Sequence, residues 1–212
     1  MWNKERFKSI FGIFLIIISF MVISYLVQTN TDLFKQYLDV GLLGMIVFVF
    51  ILALSIIVAP ISAVSLFPLA SSLWGWVLAG VLGTIGWTIG AVVAFMLARK
   101  YGVTLVEKVL PSKKIYRFEK VISGRNLFWT VIVLRMFIPV DGVSYLMGLF
   151  SKMSLKSYTL ATVIGLVVFS FAVAYLGSVP FYYQLFFAVI FLFLFLIWLV
   201  IHPVHLSKKS VQ

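Results

Sequence analysis

The chain contains no cysteine and very little acid. Without a thiol there is no disulfide, no thiol nucleophile and no thiolate metal site, although for a chain lying mostly in lipid this says little about compartment. Only 6 Asp and Glu stand against 17 Lys and Arg, and the two histidines, His202 and His205, lie near the end in "HPVH". A paired-carboxylate hydrolase has too few acids in its apolar segments, since Asp141 is the sole candidate there, and no histidine falls inside a span to activate a nucleophile. No enzyme activity is expected, and neither a cofactor nor a metal is implied. The histidine pair reads as an interface tail.

What fills the chain instead is hydrocarbon. Hydrophobic residues make up 63% and charged residues 11%, with a mean hydropathy of +1.16, far from the roughly 45–50% apolar content of a soluble domain. This is the composition of an integral membrane protein, read as one polytopic domain over 1–212. The net charge of +11 would suit nucleic acid, but basic residues flanking apolar spans are topology signals facing anionic headgroups. No nucleic-acid partner is expected; the partners are membrane lipids. The apolar stretch following Lys4, Arg6 and Lys8 lacks a small-residue cleavage site and reads as a retained first helix.

Charge parity sets a topology. The N-terminal basic cluster belongs inside, as does the basic loop 99–125, with eight Lys and Arg against Glu107 and Glu119. Between them, Val40 to Ala98 runs 59 residues without a charge or a histidine. An odd number of crossings is required, and three helices of about 20 residues leave nothing for turns. One crossing plus a hairpin that dips in and returns fits, broken at Pro60 and Pro68. The stretch from Arg125 to Lys152 needs an even number of crossings but cannot hold two spans, so it too is a re-entrant hairpin, broken at "PVDG". Two ordinary helices follow, at 158–177 and 181–201. The expected location is the plasma membrane, multi-pass, with both termini cytoplasmic.

The two hairpins are copies. At an offset of 79 residues "PISAVSLF" aligns with "PVDGVSYL" without a gap, pairing Pro60 with Pro139 and Ser65 with Ser144, and the register continues to Gly86 on Gly165. One unit opens outward and the other inward, which makes an inverted-topology repeat, a plan of secondary transporters. The fold class is thus an all-α integral membrane protein of two inverted repeats, each a re-entrant hairpin plus a transmembrane helix, with flanking helices. Gly83, Gly86 and Gly90 provide a packing groove for the neighbouring repeat. Trp74, Trp76 and Trp87 read as interface anchors.

Arg135 and Asp141 break the symmetry, since Ile56 and Ser62 occupy their places in the first copy. A charge at the bilayer centre costs at least ~2.5 kcal/mol, so it persists only when paired, hydrated or useful. Two readings stand. In one, Arg135 clamps carbonyls freed at Pro139 and Asp141 caps the second half-helix. In the other, Arg135 binds an anionic headgroup with its donor fork and Asp141 takes up and releases a proton. The candidate translocation set is Arg135, Asp141, Pro139, Gly142, Ser144, Pro60, Ser62, Ser65 and Arg99, for which snorkelling to the surface is the plainer reading.

From "GTIGWTIGAVVAFMLARKYG" through "LRMFIPVDGVSYLMGLFSKMSLKSYTLATVIG" the chain resembles the VTT-domain superfamily, which comprises DedA proteins, SNARE-associated Golgi proteins and Tvp-type relatives. The resemblance covers residues 55–178. It rests on the glycine-spaced helix ending in Phe95, Arg99 and Gly102, then Arg135, Pro139, Gly148, Tyr158 and Gly165. It implies two opposed re-entrant hairpins and lipid translocation, of undecaprenyl phosphate in some bacterial members and glycerophospholipids in eukaryotic ones. Arg135 matches the family's hairpin arginine and Arg99 its helix-end arginine. The first hairpin lacks the acids of DedA flippases and Ala98 stands where Gly is usual, so the Tvp-type branch is the nearer fit. The expected function is a flippase or scramblase for an anionic lipid, such as a polyprenyl phosphate or phospholipid. A small-solute or ion carrier and a non-transporting membrane organiser are the alternatives.

Overall fold

The computed structural model describes residues 4–37, 41–58, 63–102, 126–137 and 141–190, and its regular structure there is helical throughout. In chain order the helices are α1 (Lys4–Thr29), α2 (Thr31–Tyr37), α3 (Leu42–Val58), α4 (Phe67–Trp74), α5 (Trp76–Tyr101), α6 (Leu127–Phe137), α7 (Asp141–Phe150), α8 (Leu155–Ser178) and α9 (Phe181–Ile190). A single 3₁₀ turn, Val64–Leu66, leads into α4. The basic loop beyond Gly102, the breaks holding Pro60, Ser62 and Pro139, and the histidine tail lie outside the described residues.

Local chemistry sets the boundaries. Pro68 sits in the first turn of α4, where its missing N–H is not needed. It therefore starts a helix where the sequence suggested a break. Gly75 separates α4 from α5 at φ 79°, a conformation that a Cβ disfavours. Ser154 caps α8 by accepting the Ser157 N–H through its hydroxyl at 3.3 Å, supplying one of the partners a helix start lacks.

Of the helices around the site, two are long and two are short. At 26 and 24 residues, α5 and α8 extend for about 39 and 36 Å, enough to cross the ~30 Å hydrocarbon layer. Both are apolar over that length, with hydropathies of 2.0 and 2.2. By contrast, α6 and α7 have 11 and 10 residues, or roughly 15 Å each. Each is about half a crossing.

The two long helices form the centre and run antiparallel, as their contacts show. Trp76 meets Tyr175 at 5.6 Å, the Ser170 hydroxyl donates to the Gly80 carbonyl at 2.8 Å, Trp87 meets Phe169 at 5.5 Å and Phe95 meets Tyr158 at 4.1 Å. Residue numbers rise along one helix as they fall along the other. Around this pair α3 packs on α5 and α6 on α8, while α4 reaches across to α8 and α7 to α5. At the 79-residue offset Trp76 falls on Leu155, so α5 and α8 start at equivalent positions.

Small residues make the close packing possible. A Cβ on Gly86 would stand 2.8 Å from the Val49 carbonyl oxygen, and one on Gly90 would stand 2.5 Å from that of Ala53. These glycines thus receive α3, the arm of their own half, rather than the neighbouring repeat. Gly83 faces both halves, touching the Phe67 ring and the Ser170 hydroxyl. Trp87 also departs from the sequence reading. It is 5% exposed, with its ring 4.9 Å from Phe67, because its position on α5 faces the core between the two long helices and not the interface. The outer faces remain apolar, with Val77, Val81, Ile85 and Ile89 on α5 and Leu160, Ile164 and Val168 on α8 exposed. Such wide apolar exposure marks a membrane-facing surface.

Because Gly90 abuts backbone, Gly90→Ala must push α3 away, and we expect it to cost about 1–3 kcal/mol as an overpacked contact. Gly12, with nothing within 4 Å of its would-be Cβ, should tolerate alanine without loss. Thermal unfolding of the two variants in detergent checks the contrast.

Candidate functional site

Arg135 occupies the last turn of α6, where a cation complements the negative end of the helix dipole. It is also one of the most deeply buried side chains, at 1% exposure. Gly165 on α8 creates the room. A Cβ there would lie 2.5 Å from the Arg135 Cβ and 2.8 Å from the Ile132 carbonyl oxygen, so any larger residue would force α6 and its arginine outward.

The guanidinium spans two elements. Its Nη2 donates to the Ser144 hydroxyl on α7 at 2.6 Å and to the Tyr158 hydroxyl on α8 at 2.7 Å. Both acceptors are 0% exposed. Donation from a charged nitrogen makes these hydrogen bonds stronger than neutral ones, at about 1.5–3 kcal/mol each. The Tyr158 ring lies on Phe95 of α5, with centroids 4.1 Å apart and an interplanar angle of 13°. The same Phe95 ring carries the Arg99 guanidinium, 4.4 Å from its centroid.

Arg99 has a second contact. Its Nη2 donates to the Ser151 carbonyl at 2.7 Å, just past the end of α7, where helix carbonyls lack partners of their own. Gly148 lets this region close up, since its Cα faces the Phe95 carbonyl and the Ala98 side chain. The residues that carried the family resemblance, Phe95, Arg99, Arg135, Gly148, Tyr158 and Gly165, thus gather where α7 packs against α5, α6 and α8. Arg99 is exposed, and its placement joins the end of α7 to α5.

The other candidates divide between this cluster and its surroundings. Ser144 lies in it. Ser65, its counterpart in the first half, shares a 2.5 Å hydrogen bond with Ser19 of α1 instead. Gly142 and Asp141 form the first turn of α7, and the side chain of Asp141 lies outside the described part. Pro60, Ser62 and Pro139 are likewise outside it.

Sequence reasoning missed two residues here. The Tyr145 hydroxyl donates to the Ile57 carbonyl at 2.6 Å, so α7 satisfies a carbonyl near the end of α3. Its replacement of Leu66 at the repeat offset was a usable signal, being a polar handle gained in one copy only. Ser19, a lone hydroxyl in an apolar helix, carried no comparable signal.

The architecture and site define a class: a helical membrane protein with an arginine buried on a short helix beside two long ones. The chain belongs to the VTT-domain family, whose profile matches residues 60–179. It is also similar to an uncharacterised protein of the archaeon Methanocaldococcus jannaschii, 28% identical over 139 residues that cover 62% of this chain and 84% of the relative. No solved structure matches.

Tyr145→Phe removes the partner of the Ile57 carbonyl in a water-poor setting. The expected loss is about 1–3 kcal/mol, the cost of an unsatisfied buried acceptor, read as a lowered midpoint of thermal unfolding in detergent.

Proposed function

We propose that this protein moves lipids with anionic headgroups between the leaflets of the cell membrane, with Arg135 as the headgroup site. The observation that carries the reading is the burial of an arginine in a half-length helix, where it hydrogen-bonds to two hydroxyls. An ionised group at such depth is costly and is by default functional. A guanidinium in particular matches the planar geometry of a phosphate oxygen pair.

In this account α3 with α4, and α6 with α7, are re-entrant hairpins entering from opposite faces. Two features support it: α4, α6 and α7 are too short to cross, and the long helices that follow the two pairs start 79 residues apart and run antiparallel. The basic N-terminal segment and the basic loop after α5 face the cytoplasm by the positive-inside rule. At 1% exposure Arg135 is occluded, so a headgroup gains it only when the second hairpin shifts relative to α8. An apolar groove of about 400 Å³ between α3 and α5, lined by Leu42, Ile46, Phe50, Ile85 and Ile89, opens to the lipid and suits an acyl chain better than a water-soluble solute. Asp141, the sole acid in either hairpin by sequence, is the group we assign to proton exchange during the cycle.

Purified protein in liposomes should accelerate exchange of fluorescent anionic lipids between leaflets. Arg135→Ala should abolish the acceleration, and Arg135→Lys should cut it at least about tenfold, because a single ammonium lacks the two-pronged donor geometry. Equal exchange by wild type and folded Arg135→Ala would remove Arg135 from the mechanism, and solute uptake without lipid movement would point to a solute carrier. Separately, Asp141→Asn should eliminate any response of the exchange rate to an imposed pH gradient. A mutant that keeps that response would take the proton role away from Asp141.

A further inference from the structure

The two acceptors described for the Arg135 guanidinium are not equivalent. Ser144 belongs to the same hairpin as Arg135 and travels with it. Tyr158 is on α8, outside the hairpin, and its ring is held flat against Phe95 of α5, so it belongs to the central antiparallel pair. Among the hydrogen bonds described for the guanidinium, the one to Tyr158 therefore connects it to the scaffold. The far end of α7 hangs on the same stack, through Arg99 on the Phe95 ring and from Arg99 to the Ser151 carbonyl. At the repeat offset Tyr158 corresponds to Ala79 and Arg135 to Ile56. The phenol and the cation are both innovations of the second half, and they meet.

We infer that Tyr158 is the positioning residue of this site: its hydroxyl, braced by Phe95, aims the Arg135 guanidinium at an incoming anionic headgroup and acts on the lipid only through Arg135. This rests on the reading of Arg135 as the headgroup site. A residue that orients a binding group changes how much ligand is needed to occupy the site, whereas one that merely supports the fold lowers the amount of active protein at every ligand level. The two roles are separable by measuring exchange against the mole fraction of phosphatidylglycerol in otherwise zwitterionic liposomes.

Tyr158→Phe keeps the stack and removes only the oxygen. We expect the half-saturating mole fraction to rise about tenfold, the worth of one hydrogen bond to a charged group, with the maximal rate within about twofold of wild type. Phe95→Leu keeps the hydroxyl but frees the ring. It should raise the half-saturating fraction about threefold, and the double variant should match Tyr158→Phe alone, since both act through one bond. The inference is overturned if Tyr158→Phe leaves the half-saturating fraction unchanged while Arg135→Ala is inactive, or if the two single variants lower the maximal rate and combine additively. If Tyr158→Phe does not fold, the Phe95→Leu titration alone decides by the same criterion. A wild type that exchanges no lipid overturns the lipid reading itself, and this inference with it.

Discussion

Inside a bilayer a backbone carbonyl or amide has no water to fall back on, and the rest of this structure follows from that constraint. A chain of unbroken spanning helices would meet it automatically. This chain instead breaks its helices within apolar sequence, and at several breaks a side chain from elsewhere supplies the missing partner. Tyr145 of α7 donates to Ile57 at the end of α3, and Arg99 of α5 donates to Ser151 beyond α7. Between α8 and α9, Gln28 of α1 donates to the Val179 carbonyl while its own carbonyl oxygen accepts from the Phe181 N–H. Each repair links elements distant in sequence. The polar groups that satisfy the breaks thus also hold the helices in place.

The two halves solve the same packing problem with different chemistry. In the first, α3 lies against Gly86 and Gly90, Ser65 finds Ser19 of α1, and no charge is involved. In the second, Gly165 admits Arg135, and the Ser144 and Tyr158 hydroxyls accept its hydrogen bonds. At the 79-residue sequence offset Arg135 stands for Ile56, Tyr145 for Leu66 and Tyr158 for Ala79, so the later segment gains polar groups where the earlier one is apolar. Because α7 packs on α5 and α4 on α8, a shift of either short helix is felt by a long one.

Much of this was legible in sequence. Composition marked a helical membrane protein, and two helices are apolar and long enough to cross; the offset of 79 residues matches the starts of α5 at Trp76 and α8 at Leu155. The glycine spacing correctly announced close packing but not its partner, because small residues say how near a neighbour comes and not which neighbour it is. Trp87 misled for a related reason: tryptophan suits both an interface and a core, and only the direction of its helix face decides. Within the site, Arg135 stood out as a charge in apolar sequence. Its link to Tyr158, and through Phe95 to Arg99, could not be read, since it joins positions on α5, α6 and α8 that only the packing brings together.

The central claim is that the second hairpin carries its arginine between occluded and accessible states. The absence of cysteine in the natural chain makes Ser144→Cys a clean reporter of access to that site. In proteoliposomes containing anionic lipid, a membrane-impermeant thiol reagent applied from either face should modify this cysteine on the timescale of lipid exchange, and much more slowly in zwitterionic lipid alone. A cysteine at 144 that stays unmodified from both faces while the same protein exchanges lipid would place the path elsewhere and contradict the account.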